Sequence, residues 1–517
     1  MEKLRNQTTG FMRYVKLSPN NIVIFWILIL AFILRIIDLG SKSLWLDEAV
    51  NVWMAEKSVF SWDNPLPPLY FAVLHFWLGI GKSEVSVRFL SVILGVFSVY
   101  IIYKIGRIIY TEKEAIVGAF LLSISPIAID HSQAALYYSL FIPLSLFSVY
   151  SFLKMEEKPT NSNKILFLVS IVLSFYAHYF TVVLLFVFII FKIWKYKYNT
   201  VSLPKPVRSK KKKKMLEYEN KDEKIKEIKS FFLLLGIFFL LILPILPLFI
   251  SQTIGKAGIS NINFAYQTHF TRDFLKEIFT YLIVDEFYEG ESILLYIMLG
   301  LFLYGVFSSF KYPKERIIFL MMWLFIPVAF AAVLTNIVSN LQIRYIIFIL
   351  PSLYLIASRG ILAIPGGLHH LFRKDGDSSN KFNLAVIMFI LIIVVQSSYP
   401  ILNVYYNSKN YDWRGTAELI EKNVEDDSNI VLVPGYNNIP FNYYYKSNKT
   451  NVVEYSTFDE FIKISNHNNT YLVITPDAYG IRQDEQKKLA PWIKNNMEFK
   501  AQLSGDITIF KNLPNQD

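Results

Sequence analysis

Asp47 and Glu48 stand side by side in Leu44-Trp45-Leu46-Asp47-Glu48-Ala49, just after the first long apolar run. Paired carboxylates beside a membrane surface can take a proton from a nucleophile or orient it for attack. The plain alternative is a solvated loop in which Trp45 serves as an interfacial anchor. The residues that follow weigh against it. Asn64-Pro65-Leu66-Pro67-Pro68-Leu69-Tyr70 comes next, then Ser83-Glu84-Val85-Ser86-Val87-Arg88-Phe89, where Arg88 opens another apolar run. Arg344 opens a late run in Arg344-Tyr345-Ile346-Ile347-Phe348. Each arginine can hold a phosphate or simply snorkel to the headgroups. Tyr138 (beside Tyr137), Asp130-His131 and His178-Tyr179 fall in predicted turns near the same depth, as structural hydrogen-bonding residues or as contacts to a phosphate or sugar hydroxyl. Group transfer from a lipid phosphate needs a carboxylate near the acceptor and cations near the departing phosphate, at one membrane depth.

The elements that must position these groups are membrane helices. The chain has 517 residues, of which 53% are hydrophobic and 16% aromatic, more than a soluble core of this length requires. The reading is a polytopic α-helical membrane protein with a small C-terminal extracytoplasmic α/β domain. Spans need roughly 20 apolar residues, and about eleven are expected, at 20–37, 86–106, 113–129, 136–153, 164–178, 180–196, 231–250, 291–309, 317–335, 344–362 and 382–400. The net charge of +11 is concentrated in Arg208-Ser-Lys-Lys-Lys-Lys-Lys214. Such a block beside spans reads as a topology signal and a contact for anionic membrane lipids. The loop is too short for a folded nucleic-acid-binding domain, so no nucleic acid partner is expected. Without cysteine there is no disulfide, thiolate metal site or thiol nucleophile.

Lysines and arginines recur in every second connection, which places the N-terminus in the cytoplasm and the C-terminus outside a multi-pass cell-membrane protein. This holds only if 67–81 does not cross. With two prolines at its start, that segment is expected to lie in the outer interface. Residues 273–287, amphipathic with charged ends, are expected on the outer surface, after a mobile 251–272 loop. The division is a transmembrane domain over 1–403, with an outer loop at 38–85 and a basic cytoplasmic loop at 197–229, and a soluble domain over 404–517. In the latter a helix at 413–423 capped by Asp412 and strands near 430–433, 452–455, 471–474 and 507–510 are expected. Asn448 and Asn468 lie in glycan-acceptor triplets.

Competing motifs fail on context. Asp375-Gly-Asp377 imitates a nucleotide-sugar metal motif but has no nucleotide-binding domain around it, and Gly81-Lys82-Ser83 lacks the upstream glycine of a phosphate loop. A polytopic transporter or flippase for lipid-linked glycans is the alternative function; mid-span charges or repeated halves would favour it, and few are found.

The order of first span, acidic pair, Pro-Pro-Leu-Tyr, then Glu and Arg resembles the first outer loop of the GT-C membrane glycosyltransferases. The likeness is to the protein O-mannosyltransferase and aminoarabinose-transferase-like branch (glycosyltransferase family 39-like), and it is strongest over 35–140 and 340–360. The resemblance implies transfer of a sugar, with inversion and no glycosyl-enzyme, from a polyprenyl phosphate to a protein, lipid or glycan acceptor at the outer face. It places the base or acceptor-orienting role on Asp47, with Glu48 beside it, and the donor-phosphate contact on Arg344. Arg88, Tyr138, Tyr345, His178 and Tyr179 complete the expected donor and substrate contacts. One stretch departs from the pattern: Ser132-Gln133-Ala134-Ala135-Leu136-Tyr137-Tyr138 stands where relatives often carry Glu-Ala-Arg, so only Tyr138 is retained. An inactive scaffold is the reading that departure would favour. Whether a divalent cation takes part is left open by the sequence.

Overall fold

The computed structural model describes residues 19–57, 67–198, 210–254, 274–284, 292–334, 342–372, 380–407, 411–455, 457–465, 469–476 and 483–513. The 255–272 part of the expected mobile loop, the 199–209 part of the basic loop, Asp375-Gly-Asp377 and Asn468 lie outside them.

An unbroken apolar run makes Pro19–Ile36 helical (α1), because backbone groups in hydrocarbon must bond to one another. Its outward face exposes Phe25 and Trp26, and its inward face buries Ile24, Ile27 and Ala31. The acidic segment is itself a helix, Leu46–Lys57 (α2), and the double proline opens Pro68–Leu78 (α3). With 11 residues, α3 reaches about 16 Å, too short to cross. It packs instead on α2 and on Glu84–Ile109 (α4).

The third expected span is bent. Glu112–Ser123 (α5) stops before Ser125-Pro126, and Pro126–Gln133 (α6) departs at 59°. Proline has no N–H to continue a helix but suits its first turn, and Ser125 Oγ caps the new start by accepting from Ala128 N at 3.4 Å. Tyr138–Glu157 (α7), Asn161–Ala177 (α8), Thr181–Tyr198 (α9) and Lys210–Ile242 (α10) follow. Leu246–Ile254 (α11) resumes after a 3₁₀ turn at Pro244. Phe274–Ile283 (α12) is the amphipathic segment and buries Phe274, Ile278 and Leu282. Ile293–Ser308 (α13), Lys314–Leu334 (α14), a 3₁₀ turn over Ile343–Ile349, Leu350–Phe372 (α15) and Asn380–Asn407 (α16) complete the bundle.

Each of the eleven expected spans therefore contains helix among its described residues. Among the described residues seven helices are long and apolar enough to cross alone, and the bent α5 and α6 pair makes an eighth. α1 and α8 are slightly short apolar helices, and α9 carries Lys192, Lys195 and Lys197 near its end. The chain is a multi-pass membrane protein.

Beyond α16 lies a five-stranded sheet. Ser428–Val433 (β1) runs parallel to Thr450–Glu454 (β2) and Thr470–Ile474 (β3); Met497–Leu503 (β4) and Ile507–Asn512 (β5) are antiparallel additions, in the order β2-β1-β3-β5-β4. Side chains on a strand alternate between faces. Ile430 and Leu432 of β1 pack with Trp413, Ile420 and Phe441, and Val431 and Val433 pack on the other face with Phe461 and Leu489. Trp413–Asn423 (α17) is capped as expected, Asp412 Oδ1 accepting from Gly415 N at 2.9 Å. β4 and the helices Asn438–Tyr444 (α18), Phe458–Ser465 (α19) and Gln483–Asn496 (α20) were not expected. Asn448 is exposed.

This sheet domain docks on the acidic segment. Arg414 pairs with Glu84 and donates to Gly40 O at 3.2 Å. Ser43 Oγ accepts from Arg414 N at 3.2 Å, and Leu44 N donates to Tyr444 Oη at 2.7 Å. α18 packs along α2, so the helix bearing Asp47 lies between the sheet domain and the bundle.

Candidate active site

The acidic pair divides its labour because it lies in the first turn of a helix, where neighbours point about 100° apart. The segment is helical, where the sequence reads as part of an outer loop. Glu48 turns inward and is 1% exposed. Its Oε1 accepts from Arg88 Nε at 2.8 Å and from Ala135 N at 2.8 Å; its Oε2 accepts from Arg88 Nη2 at 2.7 Å and from Trp45 N at 3.3 Å. Arg88 Nη1 donates to Leu39 O and Lys42 O at 2.9 and 2.8 Å, and Nη2 also donates to Ser43 O at 3.1 Å. These bonds occupy all five guanidinium donors.

Asp47 turns the other way. Its side chain is 43% exposed and its Oδ2 lies 3.6 Å from Arg344 Nη2. Partial burial raises the Asp47 carboxyl above the ordinary range; Arg344 opposes that rise and Glu48 adds to it. Arg344 is presented by the 3₁₀ turn before α15, with Nε bonded to Gln342 Oε1. Its guanidinium lies 5.4 Å from the centre of the Tyr138 ring. Tyr138 in turn stacks on Tyr345 at 6.1 Å and accepts from Tyr137 Oη at 2.8 Å.

His178 lies against the same rings, 5.6 Å from Tyr138, 5.4 Å from Tyr345 and 4.5 Å from Phe141. It sits buried in the turn between α8 and α9. Its Nδ1 accepts from Phe180 N at 3.1 Å, so the neutral ring carries its proton on Nε2. Asp47, Arg344, Tyr138, Tyr345 and His178 thus form one cluster from four parts of the chain, with Glu48 and Arg88 bracing it from behind. Tyr179 does not join it. Its ring packs on Phe249 at 5.0 Å and Phe175 at 5.5 Å, and its buried hydroxyl has no partner among the described residues.

The departing stretch 132–138 is well occupied. Arg35 Nε donates to Ser132 Oγ at 3.1 Å, Ser91 Oγ to Ala134 O at 2.7 Å, and Asn51 Nδ2 to Ala135 O at 3.0 Å. Arg35 also serves the break in the third expected span. It is 1% exposed and donates to Ser123 O at 3.0 Å and Leu122 O at 3.3 Å, carbonyls at the end of α5. His131 contacts Asp130 at 3.2 Å and Tyr281 Oη at 3.4 Å, and its ring lies edge-on to Tyr138 at 5.7 Å. Sequence reasoning missed Gln342, Asn51 and Ser91; Asn51 had a visible signal, since 48, 51, 52 and 55 follow helical spacing and are all buried. No group of three His, Asp or Glu side chains comes together among the described residues. Asp47 is the carboxylate that a cation could meet in this cluster.

A helical bundle with this outer helix and a C-terminal α/β sheet is the GT-C fold of membrane glycosyltransferases. Over residues 64–208 the chain also matches the sequence model of the dolichyl-phosphate-mannose-protein mannosyltransferases. ArnT from Cupriavidus metallidurans in the apo state is similar in structure, with TM-score 0.60 and 11% identity over 95% of this chain and 97% of that one. The same protein bound to undecaprenyl phosphate gives 0.56 and 10%, covering 95% and 98%. The Archaeoglobus fulgidus oligosaccharyltransferase AglB, in complex with an inhibitory peptide and a dolichol-phosphate, gives 0.55 and 12%, covering 97% and 76%. No curated protein matches by sequence.

Proposed function

We propose that the chain transfers a sugar, with inversion, from a polyprenyl-phosphate donor to a protein, lipid or glycan acceptor at the outer membrane face. The observation that carries this reading is the Asp47 and Arg344 pair at 3.6 Å, a carboxylate and a cation at one mouth of the bundle. Undecaprenyl phosphate and dolichol-phosphate in the structurally similar proteins supply the donor class. In the reaction an acceptor oxygen or nitrogen bonds to the anomeric carbon from the side opposite the phosphate. The bond from that carbon to the phosphate oxygen breaks, and polyprenyl phosphate leaves with the electron pair. Asp47 takes the acceptor's proton, and Arg344, backed by the Tyr138 ring, holds the phosphate as its charge grows.

At rest the two groups hold each other. A donor phosphate competes with Asp47 for Arg344, so donor binding frees the carboxylate and removes the charge that stabilised its ionised form. Asp47 becomes more basic as the donor arrives. Glu48 and Arg88 fix the height of the helix start and touch no substrate. The sheet domain lies on the acceptor side, outside the membrane, with the N-terminus in the cytoplasm.

The test is incubation of the purified protein with labelled polyprenyl-phosphate sugars, following free polyprenyl phosphate. Release coupled to labelling of an acceptor supports transfer. Movement of intact donor across a vesicle membrane without release would instead establish the transporter reading.

A further inference from the structure

Helices α7 to α10 line an open cavity of about 350 Å³ at the end of the bundle remote from Asp47. α7 begins at Tyr138 in the cluster and ends at Glu157 beside this cavity, about 28 Å further on. Met155, Phe231 and Leu234 form an apolar wall, and Asn161, Lys164, Lys192 and Lys226 a polar rim. The volume falls in the range of small-molecule sites.

Its depth is fixed by the neighbouring residues. Ile165 is 60% exposed beside Lys164, and Leu233 is 66% exposed two turns after Lys226. Large apolar side chains exposed on membrane helices face hydrocarbon. The rim therefore lies where the apolar surface gives way to lysines, the level at which a phospholipid carries its phosphate.

The charges favour an anion. Lys192 is held by Glu156 and lies 3.7 Å from Glu227, the carboxylate on the lining. Lys164 and Lys226 pair with no carboxylate among the described residues. The first turn of α8, starting at Asn161 and capped by Thr160 Oγ1, which accepts from Asn163 N at 3.3 Å, adds the positive end of its dipole.

The geometry points to a binding site for the phosphate headgroup of an anionic phospholipid, held by Lys164, Lys226 and the start of α8, with an acyl chain against Phe231 and Leu234. A free phosphate ester shares the headgroup chemistry but leaves the apolar wall unused. The test reconstitutes the full-length protein in phosphatidylcholine bilayers doped with labelled phosphatidylglycerol and measures label retained per protein. Lys164→Gln with Lys226→Gln should lower retention about 10- to 30-fold. Lys158→Gln with Lys229→Gln, exposed lysines off the lining, should not. Equal loss in that control overturns the site in favour of general surface charge. Full competition by glycerol 3-phosphate overturns the lipid assignment in favour of a soluble ester. Lys226→Glu alone, at an exposed position that leaves the packing intact, should lower retention in the same direction, and unchanged retention there overturns the proposal even if the double variant fails to fold.

Discussion

Glu48 and Arg88 saturate each other: the carboxylate accepts from two guanidinium nitrogens and two backbone amides, and the guanidinium spends its remaining donors on Leu39, Lys42 and Ser43 carbonyls. Both are nearly fully buried. A buried pair of this kind costs several kcal/mol of desolvation per ion and returns it only while every bond is made.

Removing either partner should therefore destabilise the fold. Glu48→Ala or Arg88→Ala should each cost about 3–5 kcal/mol, and the double substitution less than their sum. Thermal unfolding of the purified protein in one membrane mimetic checks this. A Glu48→Gln protein as stable as wild type yet inactive would give Glu48 a chemical role and end the bracing assignment.

The docking contacts of the sheet domain make a second prediction. Arg414 is 39% exposed and Glu84 14%, so Arg414→Ala should cost only about 1 kcal/mol of docking. Limited proteolysis between α16 and α17 should accelerate, while the sheet domain keeps its own fold. Unchanged proteolysis would mean that Tyr444 and α18 hold the domain without the ion pair.

Arg344 carries the third. Arg344→Ala should weaken donor binding by about 2–4 kcal/mol, because it removes a charge-assisted hydrogen bond to the phosphate in a partly dry site. Arg344→Lys should recover part of it, because an ammonium lacks the planar fork and stacks poorly on Tyr138. Donor affinity untouched in a folded Arg344→Ala protein would make the residue a headgroup anchor.

The membrane helices and the outer acidic pair were legible because hydrocarbon demands long apolar runs and expels unexplained charge. Which acid faces the site was not, since an extended segment and a helix turn adjacent residues differently, and the burial of 48, 51, 52 and 55 becomes decisive only when a partner such as Arg88 is known. The role of Arg35 was hidden for a related reason. The carbonyls it serves are exposed by the break at Ser125-Pro126, some 90 residues away. β4 was missed because Glu498, Phe499 and Lys500 are all exposed, which blurs the alternation of a strand that pairs only with β5.

The last prediction concerns Asp47 and joins rate to pH. Only the ionised carboxylate can accept a proton, so kcat/KM for the donor falls as pH drops through the Asp47 pKa of the donor-free protein and levels off above it. Burial raises that pKa, so the acid limb should lie above the ordinary carboxylate range. Arg344 opposes the rise, so Arg344→Gln should move the limb to still higher pH, whereas Arg344→Lys, which keeps the charge, should leave it nearly in place. Asp47→Asn keeps the shape and abolishes the group; turnover should drop by about 10²–10⁴ and the limb should disappear. Donor affinity should hold or improve in Asp47→Asn, because the amide no longer competes with phosphate for Arg344. Rate against pH for the four proteins, with donor binding measured separately, checks the set. An Asp47→Asn protein that keeps both full turnover and the acid limb would show that the proton goes elsewhere, and the role of this carboxylate in sugar transfer would have to be given up.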